Sequence, residues 1–178
     1  MRRIVHILGK LASPLVLLAA LSTAPAIAAE KAEKQRYGRS TGLQVPRFAS
    51  VKAGEARLRR GPGTAYPILW EIKRRGLPVR IIGEYGHWRR VELHDGSRGW
   101  MHRVLLSGRR TALLLGESRR IRAEPYRAAA PVAEVGPTMP LRLDDCVRGW
   151  CALESSGVRG WAPIETIWGA DPRRSAGG

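Results

Sequence analysis

The chain repeats itself. Arg57-Leu58-Arg59 is matched by Arg120-Ile121-Arg122 at an offset of 63 residues, Trp88 by Trp150 at 62, and Gly96-Ser97-Arg98-Gly99-Trp100 by Gly157-Val158-Arg159-Gly160-Trp161 at 61. Two single-residue deletions in loops account for the drift. A lone Gly-x-x-Gly-Trp would be a chance event. Two of them, each preceded at near-equal distance by Trp and by Arg-aliphatic-Arg, mark a duplicated structural unit. A chain of 178 residues built this way has to close two small cores rather than one large one.

Each unit reads as β. Arg57-Leu58-Arg59 alternates out-in-out, Pro78 to Ile82 is a β-branched run, Trp88 to Leu93 is a further strand, and Asp95-Gly96 is a hairpin signal before a strand carrying Gly99-Trp100-Met101. Ile68 to Arg75 is a short helical or strand-like piece. Gly61-Pro62-Gly63-Thr64 predicts a type II turn with Gly63 at positive φ. The second unit repeats the order through Ile121, Pro131–Val135, Leu141–Leu143, Trp150–Leu153, a turn at Ser155-Ser156-Gly157, and Trp161. Five short strands per unit predict a small barrel whose edges are protected by closure. With 6 tryptophans and 1 phenylalanine, the indole rings are expected to supply much of the aromatic burial.

Residues 1–29 are expected to form a signal peptide, 30–48 a linker, 49–108 the first barrel, 109–170 the second, degenerate barrel and 171–178 a disordered tail. Arg2 and Arg3 precede an apolar run from Leu11 to Leu21, and Ala26-Ile27-Ala28 offers small residues for cleavage near Ala28 or Ala29. That run is short for a membrane span, so cleavage is favoured over an uncleaved anchor. The expectation is a periplasmic or secreted product that does not span the membrane. In an oxidising compartment the two cysteines, Cys146 and Cys151, suggest a disulfide across a tight turn. Their spacing matches neither a zinc site nor a Cys-x-x-Cys thiol oxidoreductase.

Cleavage removes Arg2, Arg3 and Lys10 and no acid, so +13 of the formal +16 stays with the mature chain. Such basicity favours polyanionic partners: nucleic acid, anionic lipid headgroups or acidic envelope polymers. The competing reading is a merely solvated arginine-rich surface.

Leu58-Arg59-Arg60-Gly61-Pro62-Gly63-Thr64-Ala65-Tyr66-Pro67-Ile68 resembles the opening of bacterial SH3 (Src-homology-3-like) domains. Trp88-Arg89-Arg90-Val91 and Asp95 to Met101 resemble the closing strands of that family. Pro67 to Trp70, Gly76 to Val79 and Leu106 to Arg110, followed by a degenerate unit with a Cys146-to-Cys151 hairpin and Trp168-Gly169, resemble an exported tandem subgroup of unknown function. The resemblance covers roughly residues 45–172. The second unit departs from it, with Glu124-Pro125-Tyr126 in place of Gly-Pro-Gly-Thr. What the resemblance implies is a binding module, of the kind attached to cell-wall hydrolases or found in envelope proteins. Its ligand classes include peptidoglycan peptides and other proteins.

The chain has no Gly-x-Ser-x-Gly nucleophile elbow and no phosphate loop. His87, His94 and His102 lack supporting carboxylate or cysteine spacing, and Asp144-Asp145 point apart on an extended segment. The expectation is therefore no catalytic residue, metal or cofactor. The candidate binding residues are Tyr66, Trp70, Trp88, Arg59 and Arg60. Strand phase puts Trp88 opposite Val91 and Leu93, hence outward, and Arg57 and Arg59 together on an outward face. Trp100 and Trp161, in their Gly-Trp setting, are expected to be structural. Arginine doublets near the domain join are candidates for an anion-binding groove between the barrels. The functional expectation is a non-catalytic exported binding or scaffold module for peptidoglycan peptides or an envelope protein. The alternative is polyanion binding, to lipopolysaccharide or nucleic acid, through the arginine-rich surface.

Overall fold

The structure, a computed structural model, describes residues 37–116 and 119–171. The expected signal segment 1–29, the first part of the expected linker and residues 172–178 of the expected tail lie outside the described residues. The first unit contributes β1 (Arg47–Val51), β2 (Ala56–Arg59), β3 (Ile68–Ile72), β4 (Pro78–Tyr85), β5 (Trp88–Glu92), β6 (Arg98–His102) and β7 (Leu106–Ser107). The second contributes β8 (Thr111–Leu114), β9 (Arg119–Arg122), β10 (Pro131–Val135), β11 (Leu141–Val147), β12 (Trp150–Ser155), β13 (Val158–Pro163) and β14 (Ile167–Trp168). Single 3-10 turns, Arg103–Leu105 and Ile164–Thr166, precede β7 and β14.

The two seven-stranded sheets have the same order, β3-β2-β6-β5-β4-β1-β7 and β10-β9-β13-β12-β11-β8-β14. The fold is all-β, two tandem small barrels. Each sheet has two strands more than the sequence reading expected, because β1 and β7, like β8 and β14, are recognised only by their pairing. β7 and β14 are two residues long, too short to show a period.

The cores are aliphatic. Leu58, Ile72, Val79, Ile81, Val91 and Met101 fill the first. Ile121, Val135, Leu141, Leu143, Leu153 and Ala162 stand at the corresponding places of the second. Burying each of the large aliphatic side chains stabilises by roughly 1.5–3 kcal/mol. No tryptophan belongs to the fully buried set, which corrects the expectation that indole rings carry the burial. Branched aliphatics already fill so narrow an interior, and the rings lie on outer faces, at the joint and, for Trp70, at an exposed sheet edge. Trp100 and Trp161 are half-buried, and it is the preceding glycine that the fold requires. A Cβ on Gly99 would stand 2.6 Å from Leu58 Cγ, and one on Gly160 would stand 2.8 Å from Ile121 Cγ1.

The expected linker also needs correcting. From Tyr37 onward it is bound to the first barrel. Tyr37 bridges to Gln44, Val45 enters the core, and the buried Glu84 carboxylate accepts hydrogen bonds from the Ser40 and Thr41 amides. The sequence suggested a linker because this arm is polar, with Gly and Pro, and Glu84 lies far along the chain.

The barrels are joined through β8, whose four residues are all buried. Ala112 and Leu114 enter the second core, while Leu113 enters the first. Trp168, the register partner of Leu113, meets Phe48 edge-to-face at 5.3 Å and lies 5.4 Å from the Arg80 guanidinium. Arg74 Nη1 donates across the joint to the Thr138 carbonyl at 2.6 Å. Among the described residues, no helix is long and apolar enough to cross a membrane.

Candidate functional site

Alternation on β5 sends Arg89 and Val91 inward and leaves Trp88 and Arg90 on the outer surface. The ladders then set the neighbours. Trp88 faces His102 and Arg90 faces Trp100 across β5–β6, while Arg59 faces Trp100 across β2–β6. Directly opposed residues share a sheet face, so one surface carries a row of Arg59, Trp100 and Arg90 beside a pair of Trp88 and His102. The Trp88 and His102 rings meet edge-on, 5.3 Å apart at 82°.

A groove of about 280 Å³ opens here, floored by Trp88, His102 and Leu105 and walled by Glu55, Arg57, Arg59 and Thr64. Arg59 is held in place, its Nη1 donating to the carbonyls of Thr64 at 2.8 Å and Tyr66 at 2.7 Å. Both of these bonds use Nη1, and Nε and Nη2 have no partner among the described residues. Arg57 is shared between Glu55 at 3.5 Å and Glu71 at 3.4 Å. The groove is thus an aromatic floor between a pinned guanidinium and a carboxylate, a mixed-charge surface.

Of the five candidate residues, the structure brings Arg59 and Trp88 together. Tyr66 acts through its backbone carbonyl, while its ring lies over the turn glycines; a Cβ on Gly61 would stand 2.4 Å from it. This replaces the expected type II turn. Gly63 is not among the positive-φ residues, and the Gly-Pro-Gly sequence instead makes room for the ring. Arg60 is exposed and does not line the groove. Trp70 is separated from it too. It is the register partner of Leu58, hence on the inward-facing side of edge strand β3, where it remains 60% exposed.

The sequence reading missed His102, Glu55, Thr64 and Leu105 as groove residues. His102 was within reach, since Trp88 and His102 are equidistant from Asp95, the centre of the hairpin. Gly96 there has φ +84°, and Ser97 N donates to the Asp95 carboxylate at 2.9 Å. That bond holds the Asp95 carboxyl below its ordinary pKa. His87, near His102 at 5.9 Å between centroids, accepts a hydrogen bond from Arg103 Nε at 3.2 Å. Among the described residues, no three His, Cys, Asp or Glu side chains gather as a metal site would require.

The second barrel keeps only part of this arrangement. Arg122 Nη1 donates to the Ala129 carbonyl at 2.8 Å, as Arg59 does to Tyr66. Trp150, however, faces Pro163 instead of a histidine. Cys146 and Cys151 are disulfide-bonded and are register partners on β11 and β12.

The family model described as the bacterial SH3 domain matches this chain twice, at residues 52–108 and 117–169. A protein of Bacillus subtilis (strain 168) bearing the name N-acetylmuramoyl-L-alanine amidase YrvJ is 25% identical over 147 residues, covering 71% of this chain. The chain spans only 28% of that relative's length. Two solved structures from Trichomonas vaginalis are also similar. NlpC1 has a TM-score of 0.33 at 15% identity, covering 74% of this chain and 48% of its own. NlpC2 has a TM-score of 0.34 at 13% identity, covering 70% and 48%.

Proposed function

The chain belongs to the bacterial SH3 domain family, and we propose that it is a non-catalytic, exported binding or scaffold module that recognises short peptides of the cell wall, or an envelope protein presenting similar chemistry, through the first barrel. The single observation that carries this reading is the groove at Trp88. A flat ring offers contact area at low entropic cost. Beside it, pinned Arg59 offers a charge-assisted pair to a carboxylate, and Glu55, whose 3.5 Å pair with Arg57 is exposed, can exchange that pair for an ammonium. A short peptide with a free carboxylate and a free amine matches that mixed-charge geometry better than a uniform polyanion does. The amidase name borne by the Bacillus relative supports a cell-wall setting for such a module. The second barrel, which has Pro163 where the first has His102, serves as a companion that fixes the first in place.

The test is a pull-down of the mature chain on purified cell-wall sacculi. Wild type is expected to sediment with them. Trp88→Ala combined with Arg59→Ala is expected to remain in the supernatant while still melting cooperatively. Equal sedimentation of the two proteins would overturn the reading.

A further inference from the structure

On the first barrel, beside the connection to the second, three cations from three separate chain segments line one concavity. Lys52 follows β1, Arg75 lies in the β3–β4 turn, and Arg109 lies in the connection between β7 and β8. Together with Ser50 and Ser107 they line a notch of about 200 Å³.

The backbone that carries them is fixed. Lys52 N donates to Leu105 O at 2.7 Å and Gly76 N to Val51 O at 2.8 Å. The neighbouring Arg74 is tied across the joint to Thr138. The notch is not a site of internal charge compensation. Arg47, Arg80, Arg89 and Arg98 are all paired with buried glutamates, and in the adjoining cleft Arg142 is paired with Asp144 at 3.1 Å. Lys52, Arg75 and Arg109 have no ion-pair partner among the described residues, and no acid lines their notch.

Its floor adds a donor. Ser50, 1% exposed, and Ser107 hydrogen-bond hydroxyl to hydroxyl at 2.9 Å. Two hydroxyls carry two protons and the pair uses one. The pair therefore keeps one hydroxyl proton that the mutual bond does not use.

We propose that this notch, on the first barrel beside the connection to the second, binds a single phosphate group, with Lys52, Arg75 and Arg109 supplying the counter-charge and the Ser50–Ser107 pair a hydroxyl donor. Three unpaired cations around one concavity match a tetrahedral, multiply charged oxyanion better than a monovalent carboxylate. The same chemistry comes from a soluble phosphomonoester or from a lipid whose headgroup is itself a phosphomonoester, as in phosphatidic acid. The notch shares no lining residue with the groove at Trp88, so this inference stands or falls separately from the peptide reading.

The test is an NMR titration of the mature chain with glycerol phosphate at an ionic strength of about 0.15 M, where diffuse attraction is largely screened. Saturable binding is expected, with amide shifts concentrated at Ser50, Lys52, Gly76 and Ser107. Arg109→Ala and Lys52→Ala are each expected to weaken it by about tenfold, the loss of one charge-assisted contact. Arg120→Gln, an equal change of net charge elsewhere, is expected to leave it unchanged, with thermal melts verifying that all three variants are folded. No saturable binding, shifts spread over the whole basic surface, or an equal loss in Arg120→Gln would each overturn the site. A parallel arm uses phosphatidylcholine vesicles containing phosphatidic acid, whose headgroup is a phosphomonoester, with pure phosphatidylcholine vesicles as reference. Arg109-dependent binding to the former assigns the phosphate to a lipid. Glycerol phosphate binding without vesicle binding assigns it to a soluble phosphoester. Either result retains the notch as the phosphate site.

Discussion

Glu84 and Arg89 face each other across the β4–β5 ladder, with Arg89 Nε 3.4 Å from the Glu84 carboxylate and both side chains buried. The corresponding cross-strand position in the second barrel is the Cys146–Cys151 disulfide. Each pair closes the tip of the same hairpin, once by charge and once by a covalent bond. The charged version does more. Glu84 also binds Arg47 at 2.6 Å and the Thr41 hydroxyl at 2.8 Å, and so fastens the N-terminal arm to the barrel.

Removing that charge should be expensive. Glu84→Gln strands a buried Arg89 and loosens Arg47 and the arm together. A loss of about 3–5 kcal/mol is expected, read as a lower midpoint in urea unfolding. The exchange Glu84→Cys with Arg89→Cys is expected to form a second disulfide, seen as protection from alkylation by mass spectrometry.

Acid should act through the same residue and through Glu92. Burial opposes the ionisation of Glu84, but hydrogen bonds from Arg47 and Thr41 and the Arg89 charge outweigh it and hold its pKa below the ordinary 4.5. For Glu92, burial is likewise outweighed by Arg98 and Arg80. A carboxylate with a depressed folded-state pKa contributes stability that is complete above its unfolded value and is lost as pH falls through the folded one. The melting temperature is therefore expected to be nearly level between about pH 5 and 7 and to fall below 4.5. Glu84→Gln should flatten that fall. A variant whose acid response matches wild type would remove Glu84 from the explanation.

Reduction should affect one barrel. Opening Cys146–Cys151 is expected to cost about 2 kcal/mol and to raise amide exchange along β11 and β12. Exchange at β4 and β5 should stay as it was. Hydrogen exchange with and without reductant measures both.

The joint between barrels has its own test. The edge-to-face contact of Phe48 with Trp168 is expected to yield a coupling of about 1 kcal/mol in a Phe48→Ala, Trp168→Ala double-mutant cycle. Trp168→Ala should also split a single calorimetric transition into two, since Trp168 packs against the first core from the second barrel.

Local pattern sufficed for the duplication, the outward phase of Trp88, the hairpin at Asp95-Gly96 and the pairing of Cys146 with Cys151. Each is written in residues close together in sequence, where strand period and turn chemistry act directly. Tertiary structure alone decided the rest. Glu84 meets Thr41 across 43 residues, and Ser50 meets Ser107 across 57. The sequence marked the arginine doublets near the domain join, Arg109-Arg110 among them, as candidates for an anion-binding groove, but it did not bring Lys52 or Arg75 to Arg109. Their convergence, like the exclusion of Trp70 from the groove and the capture of the arm by Glu84, depends on sheet closure and barrel packing, which bring together residues with no shared local signal.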